Sequence, residues 1–500
     1  MLMVTASYLL ILLLAAACVY LPWLALNSTS NFQVLALFIG GLLVAGSMLW
    51  SLVPRRDKFT PPGLLLERSA QPHLFAELDN IATALREPVP REVYLIGDTN
   101  AWVANRGGIM GIGSRRVMGL GLPLLAALNV SQFRAILAHE FAHYYGGDTR
   151  LGPWVYRTQM AMIRTFQNMG SVGKAMRVAA MQVLYAVVFG ILKWYWLLFL
   201  RAINFVSRRQ EFRADELACI VAGPQSLVSG LKIVHGATLA WPSYWGTELA
   251  PALNSGYLPP LSGGFAKFLA APAISGQVEK GIETEIRDGR TEPYDSHPPL
   301  RERIAAAENL FVRSRGEDTR TAWSLLENSS GTELAFLIAM NPDLKPTRPM
   351  AWEDQGSLVV IPAWKGLVTQ HGHLLQDVSL GNLFESLGKV PQIAPQIPDP
   401  KGMLLDPEQR VERARSLFGA ALGLALVNNG WTLHSSPGVF CLVSNGEEIN
   451  PFKLIQQLSD GSISKDAWSE KCRKFGIEDV PLGALKNGTR LEVADSLPLG

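Results

Sequence analysis

The segment His139-Glu140-Phe141-Ala142-His143 places two imidazoles and a carboxyl group on a predicted helix. Because an α-helix turns once every 3.6 residues, both imidazoles project from one face and can share one metal ion. Neutral imidazole nitrogens at this spacing suit zinc, which binds nitrogen ligands at about 2.0–2.1 Å. The alternative explanation is a surface helix that carries two histidines without a metal.

A second segment, Ser207–Asp215, offers the remaining ligand that a catalytic zinc site requires. Such a site uses three protein ligands and leaves one position for water. Glu211 and Asp215 lie one helical turn apart, so Glu211 can supply the third ligand. Asp215 can then accept a hydrogen bond from the second nitrogen of a ligand imidazole. Alone, this segment would be read as an exposed charged helix; together, the two segments favour a metal site.

These segments resemble those of the integral membrane zinc metallopeptidase family that includes HtpX and the CAAX prenyl protease. The resemblance covers about residues 59–310 and the apolar residues before them. The further motifs that match are, in chain order, Asn100-Ala101, Asp148 five residues after the second histidine, the string S-R-x-x-E-x-x-A-D from Ser207, and His297-Pro298-Pro299 with Arg303.

The resemblance implies a zincin-like metallopeptidase domain over residues 59–315 that holds one Zn²⁺ per chain. The implied roles are zinc ligands for His139, His143 and Glu211, general base for Glu140, cleft and oxyanion contacts for His297 and Arg303, support of the ligands for Asp215 and Asp148, and substrate binding at a sheet edge for Asn100 and Ala101. Zinc lowers the pKa of a bound water from 15.7 toward about 7, so Glu140 can take the proton of that water.

Residues 1–58 are predicted to form a transmembrane helical hairpin. The apolar runs Val4–Leu26 and Phe32–Val53 can each cross about 30 Å of hydrocarbon, and Arg55 is the first charged side chain. Positive charge follows the second run, so we expect the termini and the later residues on the cytoplasmic side of a bacterial-type inner membrane. A cleaved signal peptide ending near Ala15-Ala16-Ala17-Cys18 is the alternative, although a second long apolar run follows it directly.

A third apolar stretch, about Val178–Val206, restricts how the chain crosses the membrane. The three expected zinc ligands must lie on one side, which excludes a single crossing between His143 and Glu211. The stretch is also too short for two spans of about 20 residues each, whereas HtpX-like members of the family have two clear spans here. We therefore expect a long helical hairpin over about 152–206, embedded at one end or packed on the first two helices. A soluble buried helix is the alternative.

The remaining elements are predicted from periodicity and turn residues. In the peptidase region they are a helix over 68–86, a strand Glu92–Ile96, short strands within Asn100–Leu120, a helix capped by Ser131 and ended by Gly146-Gly147, and a helix Leu300–Leu310. In residues 330–500 they are a strand Ser357–Trp364, a linker Pro391–Pro400, a helix around 407–427, a strand pair around Trp431–Val443 and a helix from Phe452.

Residues 330–500 are expected to form an α/β accessory domain that recruits substrates or regulates access to the site. Four tryptophans in this region are interpreted as core residues: Trp352, Trp364, Trp431 and Trp468. His371-Gly372-His373 lacks an evident third ligand, so a second metal site is not favoured there.

The composition excludes several classes of protein. Hydrophobic residues make up 48% of the 500 residues and charged residues 18%, which excludes a disordered or collagen-like chain. The net charge of +2 does not indicate a nucleic-acid partner. The four cysteines lie far apart, which argues against a disulfide scaffold and suits a reducing compartment.

The predicted fold is therefore mainly α with an α+β character: a transmembrane hairpin, a metallopeptidase domain with a small edge sheet, and a C-terminal α/β extension. The predicted function is zinc-dependent cleavage of membrane or membrane-associated proteins, with protein or peptide substrates and membrane lipid as partners and no nucleic acid. No oligomeric state follows from the sequence. Two alternatives stay open: an idle membrane scaffold or chaperone-like protein with a structural metal, and CAAX-type prenyl-peptide processing.

Overall fold

The computed structural model describes residues 2–28, 32–53, 56–108, 113–144, 152–175, 179–290, 297–312, 316–344, 347–399 and 404–483. These residues are mainly helical and include three small sheets, which confirms the predicted fold class. Backbone contacts divide the chain into two units: Met1–Leu239 with Val278–Leu344, and Ala240–Gln277 with Lys345–Gly500.

The helices and strands are numbered along the chain. Up to residue 222 they are α1 (Leu2–Ser28), α2 (Phe32–Leu52), β1 (Leu64–Leu66), α3 (Pro72–Leu85), β2 (Glu92–Ile96), β3 (Ala101–Arg106), β4 (Arg115–Gly121), α4 (Leu122–Ala127), α5 (Val130–Ala142), α6 (Gly152–Ala175) and α7 (Ala179–Ala222). The following elements are α8 (Pro224–Tyr244), α9 (Ala250–Asn254), β5 (Tyr257–Leu258), α10 (Leu261–Ala270), α11 (Pro272–Asp288), α12 (Leu300–Glu308), α13 (Ser329–Met340) and β6 (Arg348–Pro349). The last are α14 (Ile361–His371), α15 (Leu383–Leu387), α16 (Val390–Ile393), α17 (Pro407–Asn428), β7 (Thr432–Ser436), β8 (Val439–Ser444), β9 (Glu447–Ile449), α18 (Pro451–Ser459) and α19 (Lys465–Phe475).

Four helices of the first unit form an apolar bundle. Helices α1, α2 and α7 each have the length and composition to cross a membrane. Helices α6 and α7 pack on α1 and α2. The core that the four helices share contains Val4, Ile11, Val44, Met48, Met162, Met169, Leu192 and Phe199. A hydrogen bond of 2.6 Å between the hydroxyls of Ser51 and Thr165 joins α2 to α6. Both arms of the expected hairpin over 152–206 thus contact the first two helices, and its second arm is the beginning of a much longer helix.

A four-stranded sheet with the order β1-β2-β4-β3 lies beside the helices of the first unit. Strands β2 and β4 are parallel, while β1 and β3 pair with them in antiparallel fashion. Gly119 of β4 lies opposite Trp102 of β3, and a Cβ at Gly119 would stand 2.5 Å from the indole. Glycine at this position therefore leaves room for the indole of Trp102 against β4.

The second unit has its own apolar core around α17. Leu417, Phe418, Leu422 and Leu426 of this helix are fully buried. All four tryptophans of the C-terminal region are buried, which confirms their interpretation as core residues. Trp364 packs so closely on α17 that a Cβ at Gly423 would lie 2.4 Å from its ring.

Two predictions for the C-terminal region are wrong. Gly356–Val360 form a π-helical turn that continues into α14, where a strand was expected from the β-branched residues. Burial of Val359, Trp364 and Val368 along one helical face outweighs the strand preference of these residues. The expected linker Pro391–Pro400 contains α16 and a 3₁₀ turn, and Ile393 and Ile397 lie in the core; residue 400 is outside the described residues.

Residues 240–277 belong to the second unit, although the sequence analysis counted them with the peptidase domain. Tyr244, Phe265 and Phe268 are buried there and form ring contacts with one another. The indole of Trp352 lies 6.0 Å from the ring of Tyr244 and donates a hydrogen bond of 2.8 Å to the Pro260 carbonyl. These contacts between residues about 100 positions apart explain the grouping.

Candidate metal centre

Helix α5 presents both histidines of the H-E-x-x-H segment. It is capped by Asn129, whose side chain accepts from the Gln132 amide at 2.8 Å, while the Gln132 side chain accepts from the Asn129 amide at 3.0 Å. The prediction of Ser131 as the cap is wrong, because that residue already lies inside the helix and accepts from the Asp318 amide. The helix ends at Ala142 with His143 as its C-cap, and Gly146-Gly147 lie outside the described residues.

Helix α7 presents the acidic residues. It runs without interruption for 44 residues, from the apolar bundle to Glu211 and Asp215. At 1.5 Å per residue this is about 66 Å, roughly twice the thickness of a bilayer core. Helix α5 packs against it, and the buried residues Ala138 and Ala214 are small enough to allow a close approach of two helices. One helix thereby connects the membrane bundle to the site.

His139, His143 and Glu211 form a group whose ligand atoms all lie within 4.8 Å of one another. The His139 Nε2 atom is 3.4 Å from Glu211 Oε2, and the His143 Nε2 atom is 3.5 Å from Glu211 Oε1. The two imidazole rings are nearly perpendicular, with centroids 4.8 Å apart. Two helices that are distant in sequence thus bring two nitrogen atoms and one carboxylate to a common point.

Asp215 and Arg303 lie directly behind His139. Asp215 Oδ1 is 2.9 Å from His139 Nδ1, an arrangement that leaves Nε2 of the ring free to bind a metal. Arg303 donates two hydrogen bonds to the Asp215 carboxylate, at 2.7 and 2.8 Å. Its side chain is only 12% exposed, so the structure places this guanidinium against Asp215 and not in an open cleft.

His297 lies on the exposed side of the group. Its Nδ1 atom is 3.0 Å from Glu211 Oε2, and its side chain is 62% exposed. The segment that carries it leads directly into α12, the helix that also contains Arg303. The two residues of the H-P-P…R element therefore both lie near Glu211 Oε2, His297 at 3.0 Å and Arg303 at 3.9 Å. Asp148 lies outside the described residues.

Asn100 and Ala101 lie at the start of the edge strand. The Asn100 carbonyl accepts from the Gly121 amide at 2.9 Å, so Asn100 pairs with β4. In an antiparallel ladder the pairing groups alternate, and the amide and carbonyl of Ala101, Val103 and Asn105 therefore point away from β4. In the part of the chain that the structure describes, β3 has β4 as its one strand neighbour.

Tyr144 connects the metal group to this edge, and the sequence analysis did not single it out. Its hydroxyl donates a hydrogen bond of 2.7 Å to the Val103 carbonyl, and Arg116 lies over its ring at 4.3 Å. The residue directly follows His143, so the only indication in the sequence was its position next to the metal motif.

Comparisons with known proteins agree with this geometry. The family model for Peptidase family M48 matches residues 68–310. This region of the chain belongs to peptidase family M48. A protease HtpX homolog of Methanosarcina mazei is 23% identical over 300 residues, which cover 59% of this chain and 91% of the relative. The protease HtpX of Xylella fastidiosa is 25% identical over 313 residues, which cover 59% of this chain and 93% of the relative.

A protease HtpX homolog of Prosthecochloris aestuarii is 24% identical over a shorter stretch, which covers 44% of this chain and 66% of the relative. The family and these relatives establish that the protein is a membrane-associated metallopeptidase of the M48 family, and the family resemblance drawn from the motifs is confirmed. The matching region ends at residue 310, ahead of the C-terminal residues.

The electrostatics of the M48 site suit a bound cation. Burial lowers the pKa of His143 to about 4, so this ring is neutral at pH 7 and its Nε2 is available as a ligand. Burial also lowers the pKa of His139, but hydrogen bonds to Asp215 and Glu211 outweigh it and raise the pKa to about 9. A metal ion that binds His139 must therefore replace a proton.

Glu140 is half-buried, and burial raises its pKa to about 7. A carboxyl group with this pKa can both accept and return a proton near neutral pH. His139, His143 and Glu211 form a donor set of two imidazoles and one carboxylate, which fits zinc.

Proposed function

We propose that the protein is a zinc-dependent endopeptidase that cleaves membrane or membrane-associated proteins, with one Zn²⁺ per chain held by His139, His143 and Glu211. The observation that carries the proposal is the convergence of these ligand atoms within 4.8 Å, next to the half-buried Glu140. Three protein ligands leave a fourth position for water, which is the composition of a catalytic zinc site rather than a structural one.

Zinc bound there would supply a Lewis acid that activates water and polarises the peptide carbonyl. Glu140 points about 100° around α5 from His139, so it does not compete for the metal and can accept the proton of the attacking water. The same carboxyl group then returns the proton to the leaving amine. In this proposal His297, whose exposed side chain contacts Glu211, would donate a hydrogen bond to the carbonyl oxygen as negative charge develops on it.

Asp215 and Arg303 have a positioning role in this proposal. Asp215 holds the Nδ1–H of His139 and thereby directs Nε2 toward the metal. Arg303 neutralises Asp215 through two hydrogen bonds, which keeps the buried carboxylate ionised and fixed.

The orientation that we propose places the catalytic group on the cytoplasmic side of a bacterial-type inner membrane. In the sequence, Arg55, Arg56 and Lys58 follow α2, and positive residues are retained in the cytoplasm. Helix α7 is long enough for its first half to lie in the bilayer while Glu211 lies outside. His139 precedes α6, and Glu211 follows the first half of α7. Since both residues lie on the same side of the membrane in this proposal, α6 and the first half of α7 enter the membrane and return to that side.

The experiment that tests the proposal compares the wild-type protein with Glu140→Gln and with Glu216→Gln, a matched change at a residue of α7 whose side chain is 41% exposed. The detergent-purified proteins are analysed for zinc and for cleavage of casein. We expect one zinc per chain in all three proteins and a loss of about 100-fold or more in cleavage rate for Glu140→Gln alone.

A wild-type protein that binds zinc without cleaving casein or a prenylated peptide would support an idle scaffold instead. Cleavage of the prenylated peptide without cleavage of casein would support CAAX-type processing. Equal activity of Glu140→Gln and wild type would contradict the mechanism.

A further inference from the structure

The residues that follow α2 are attached to the far end of the edge strand. The Asp57 carboxylate accepts from the Arg106 side chain at 2.9 and 3.1 Å and from the Gly107 amide at 2.7 Å. The Asp57 amide donates to the Gly108 carbonyl at 2.9 Å. Four hydrogen bonds therefore join the segment that leaves the membrane helix to the end of β3.

An aromatic contact strengthens the same attachment. The ring of Phe59 lies under the guanidinium groups of Arg106 and Arg115, at 5.2 and 5.5 Å from its centroid. The ring also forms an edge contact with Tyr94 of β2. Such cation–π contacts favour a fixed position of Phe59 against the sheet. We call the contacts of Asp57 and Phe59 with the sheet the membrane-side clamp.

Val103, in the middle of β3, is attached to the residue that follows the ligand His143. The Tyr144 hydroxyl donates to the Val103 carbonyl at 2.7 Å, and Tyr144 directly follows the ligand His143. The Val103 carbonyl keeps a second lone pair for a further donor. The edge strand thus runs from the metal group at Val103 to the membrane-side clamp at Gly107, and its outward amides and carbonyls are those of Ala101, Val103 and Asn105.

The Gly107 amide is the next outward group in this series, and it is already bonded to Asp57. Ala101 is only 2% exposed, so a peptide that adds to the edge as a strand can pair with Val103 and Asn105 before it reaches the protein's own segment next to the membrane. The segment between the end of α2 at Leu52 and Asp57 spans at most about 18 Å, and the strand from Val103 to Gly107 adds about 13 Å. The path from the end of α2 along the edge strand to Val103, the residue bonded to Tyr144, is therefore at most about 31 Å, or about nine residues of extended chain.

From this arrangement we infer that the edge strand selects peptide segments that lie next to a transmembrane helix of the substrate, with the scissile bond within about nine residues of that helix. The inference rests on the proposed endopeptidase function and adds the class of substrate. The occupant is an extended segment of a membrane protein, because the edge ends at the chain's own juxtamembrane residues. A substrate anchored in the same bilayer stays close to this edge, so its effective concentration at the edge is high.

The test uses liposomes that contain the full-length protein together with model substrates. Each substrate has one transmembrane helix, a Gly/Ser linker and one casein-derived sequence that the enzyme cleaves. The substrates differ in linker length, which places the scissile bond about 9, 18 or 36 residues from the helix. We expect the fastest cleavage at the shortest of these distances and a fall of about eightfold at the longest, because effective concentration falls as roughly the −3/2 power of length.

Equal rates at all three distances, with normal cleavage of soluble casein, would overturn the inference and leave the proposed function intact. Loss of casein cleavage in the wild-type protein would instead overturn the proposed function. The same cleavage sequence without a transmembrane helix is expected to be cut more slowly than the shortest anchored substrate; an equal rate would also overturn the inference.

Two variants test the clamp directly. Asp57→Asn removes the charge that pairs with Arg106, and we expect the preference for the shortest over the longest substrate to fall by about two- to fivefold. The matched control is Asp79→Asn on α3, which breaks a similar two-bond pair with Arg68, away from the edge strand. The control is expected to keep the wild-type preference. The same preference in both variants would overturn the role of the clamp.

Discussion

At the scale of single residues, the site depends on how each side chain is held as much as on which ligands are present. His139 is fixed by Asp215, and Asp215 is fixed by Arg303 through two hydrogen bonds. A planar guanidinium matches both oxygens of one carboxylate with two parallel N–H donors, whereas an ammonium group has three donors without this fixed geometry. Arg303 is therefore expected to act through Asp215 and His139 and not on the substrate directly.

This expectation predicts the effect of Arg303→Lys. We expect zinc affinity, measured by competition with a chelator, to fall about 10- to 100-fold, and kcat at saturating zinc to fall with little change in KM. The matched control is Arg134→Lys, which disrupts a comparable pair with Glu77 away from the metal group and is expected to leave zinc affinity unchanged. Unchanged zinc affinity in Arg303→Lys, or a large rise in KM alone, would contradict the positioning role.

At the scale of elements, α7 determines where the third ligand lies. One continuous helix carries Leu192 and Phe199 in the apolar bundle and Glu211 in the metal group. In a continuous helix each residue adds about 100° of rotation and 1.5 Å of rise, so the orientation of one end determines the orientation of the other. The packing of the first half of α7 in the bundle thus sets the direction of the Glu211 side chain.

Insertion of one alanine after Val206 tests this coupling. The insertion turns Glu211 by about 100° relative to the bundle while the membrane helices stay packed. We expect the purified protein to insert into membranes but to lose zinc and casein cleavage. The substitution Val206→Ala changes the same exposed position without changing the length of the helix and is expected to keep both properties. Normal zinc content in the insertion variant would show that α7 is not a rigid connection.

At the scale of the whole molecule, the two units do not follow the order of the chain. Residues 240–277 lie inside the segment that matches the M48 family, yet they belong to the second unit together with residues 345–500. Tyr244 and Phe265 are fully buried in that unit, next to Trp352. Removal of the C-terminal residues would therefore expose apolar side chains that the peptidase segment itself contributes.

A chain that ends at residue 344 is predicted to aggregate for this reason. Burial of each large aromatic side chain contributes about 1.5–3 kcal/mol, and Tyr244, Phe265 and Phe268 would all lose part of it. We expect a low yield and a large light-scattering signal in detergent, whereas full-length Trp352→Phe, which keeps an aromatic ring, is expected to stay monodisperse. A truncated protein that is monodisperse and cleaves casein normally would contradict this prediction.

The truncation also bears on the role of residues 330–500, which were expected to recruit substrates or regulate access. If the shortened chain aggregates, a loss of activity reflects the exposed core. Point changes on the exposed surface of the second unit then give the cleaner test. A set of such variants that cleaves every substrate at the wild-type rate would contradict a recruiting role.

The sequence alone predicted the ligands proposed for the metal centre and the family, because H-E-x-x-H and E-x-x-A-D are spacings within single helices and helical periodicity is local. It also determined the transmembrane character of the first two helices, since uninterrupted apolar runs have no other stable environment of that length. The strand over Glu92–Ile96 and the helix around 407–427 were predicted for the same local reason.

Only the tertiary structure decided which distant residues meet. The pairing of Arg303 with Asp215, the hydrogen bond from Tyr144 to Val103 and the attachment of Asp57 to the end of β3 join positions that no local pattern connects. The helical turn at Gly356–Val360 followed from burial against the core, which outweighed the strand preference of its residues. The spacing of residues within a helix determines which side chains share one face, whereas long-range packing determines which other residues those side chains contact.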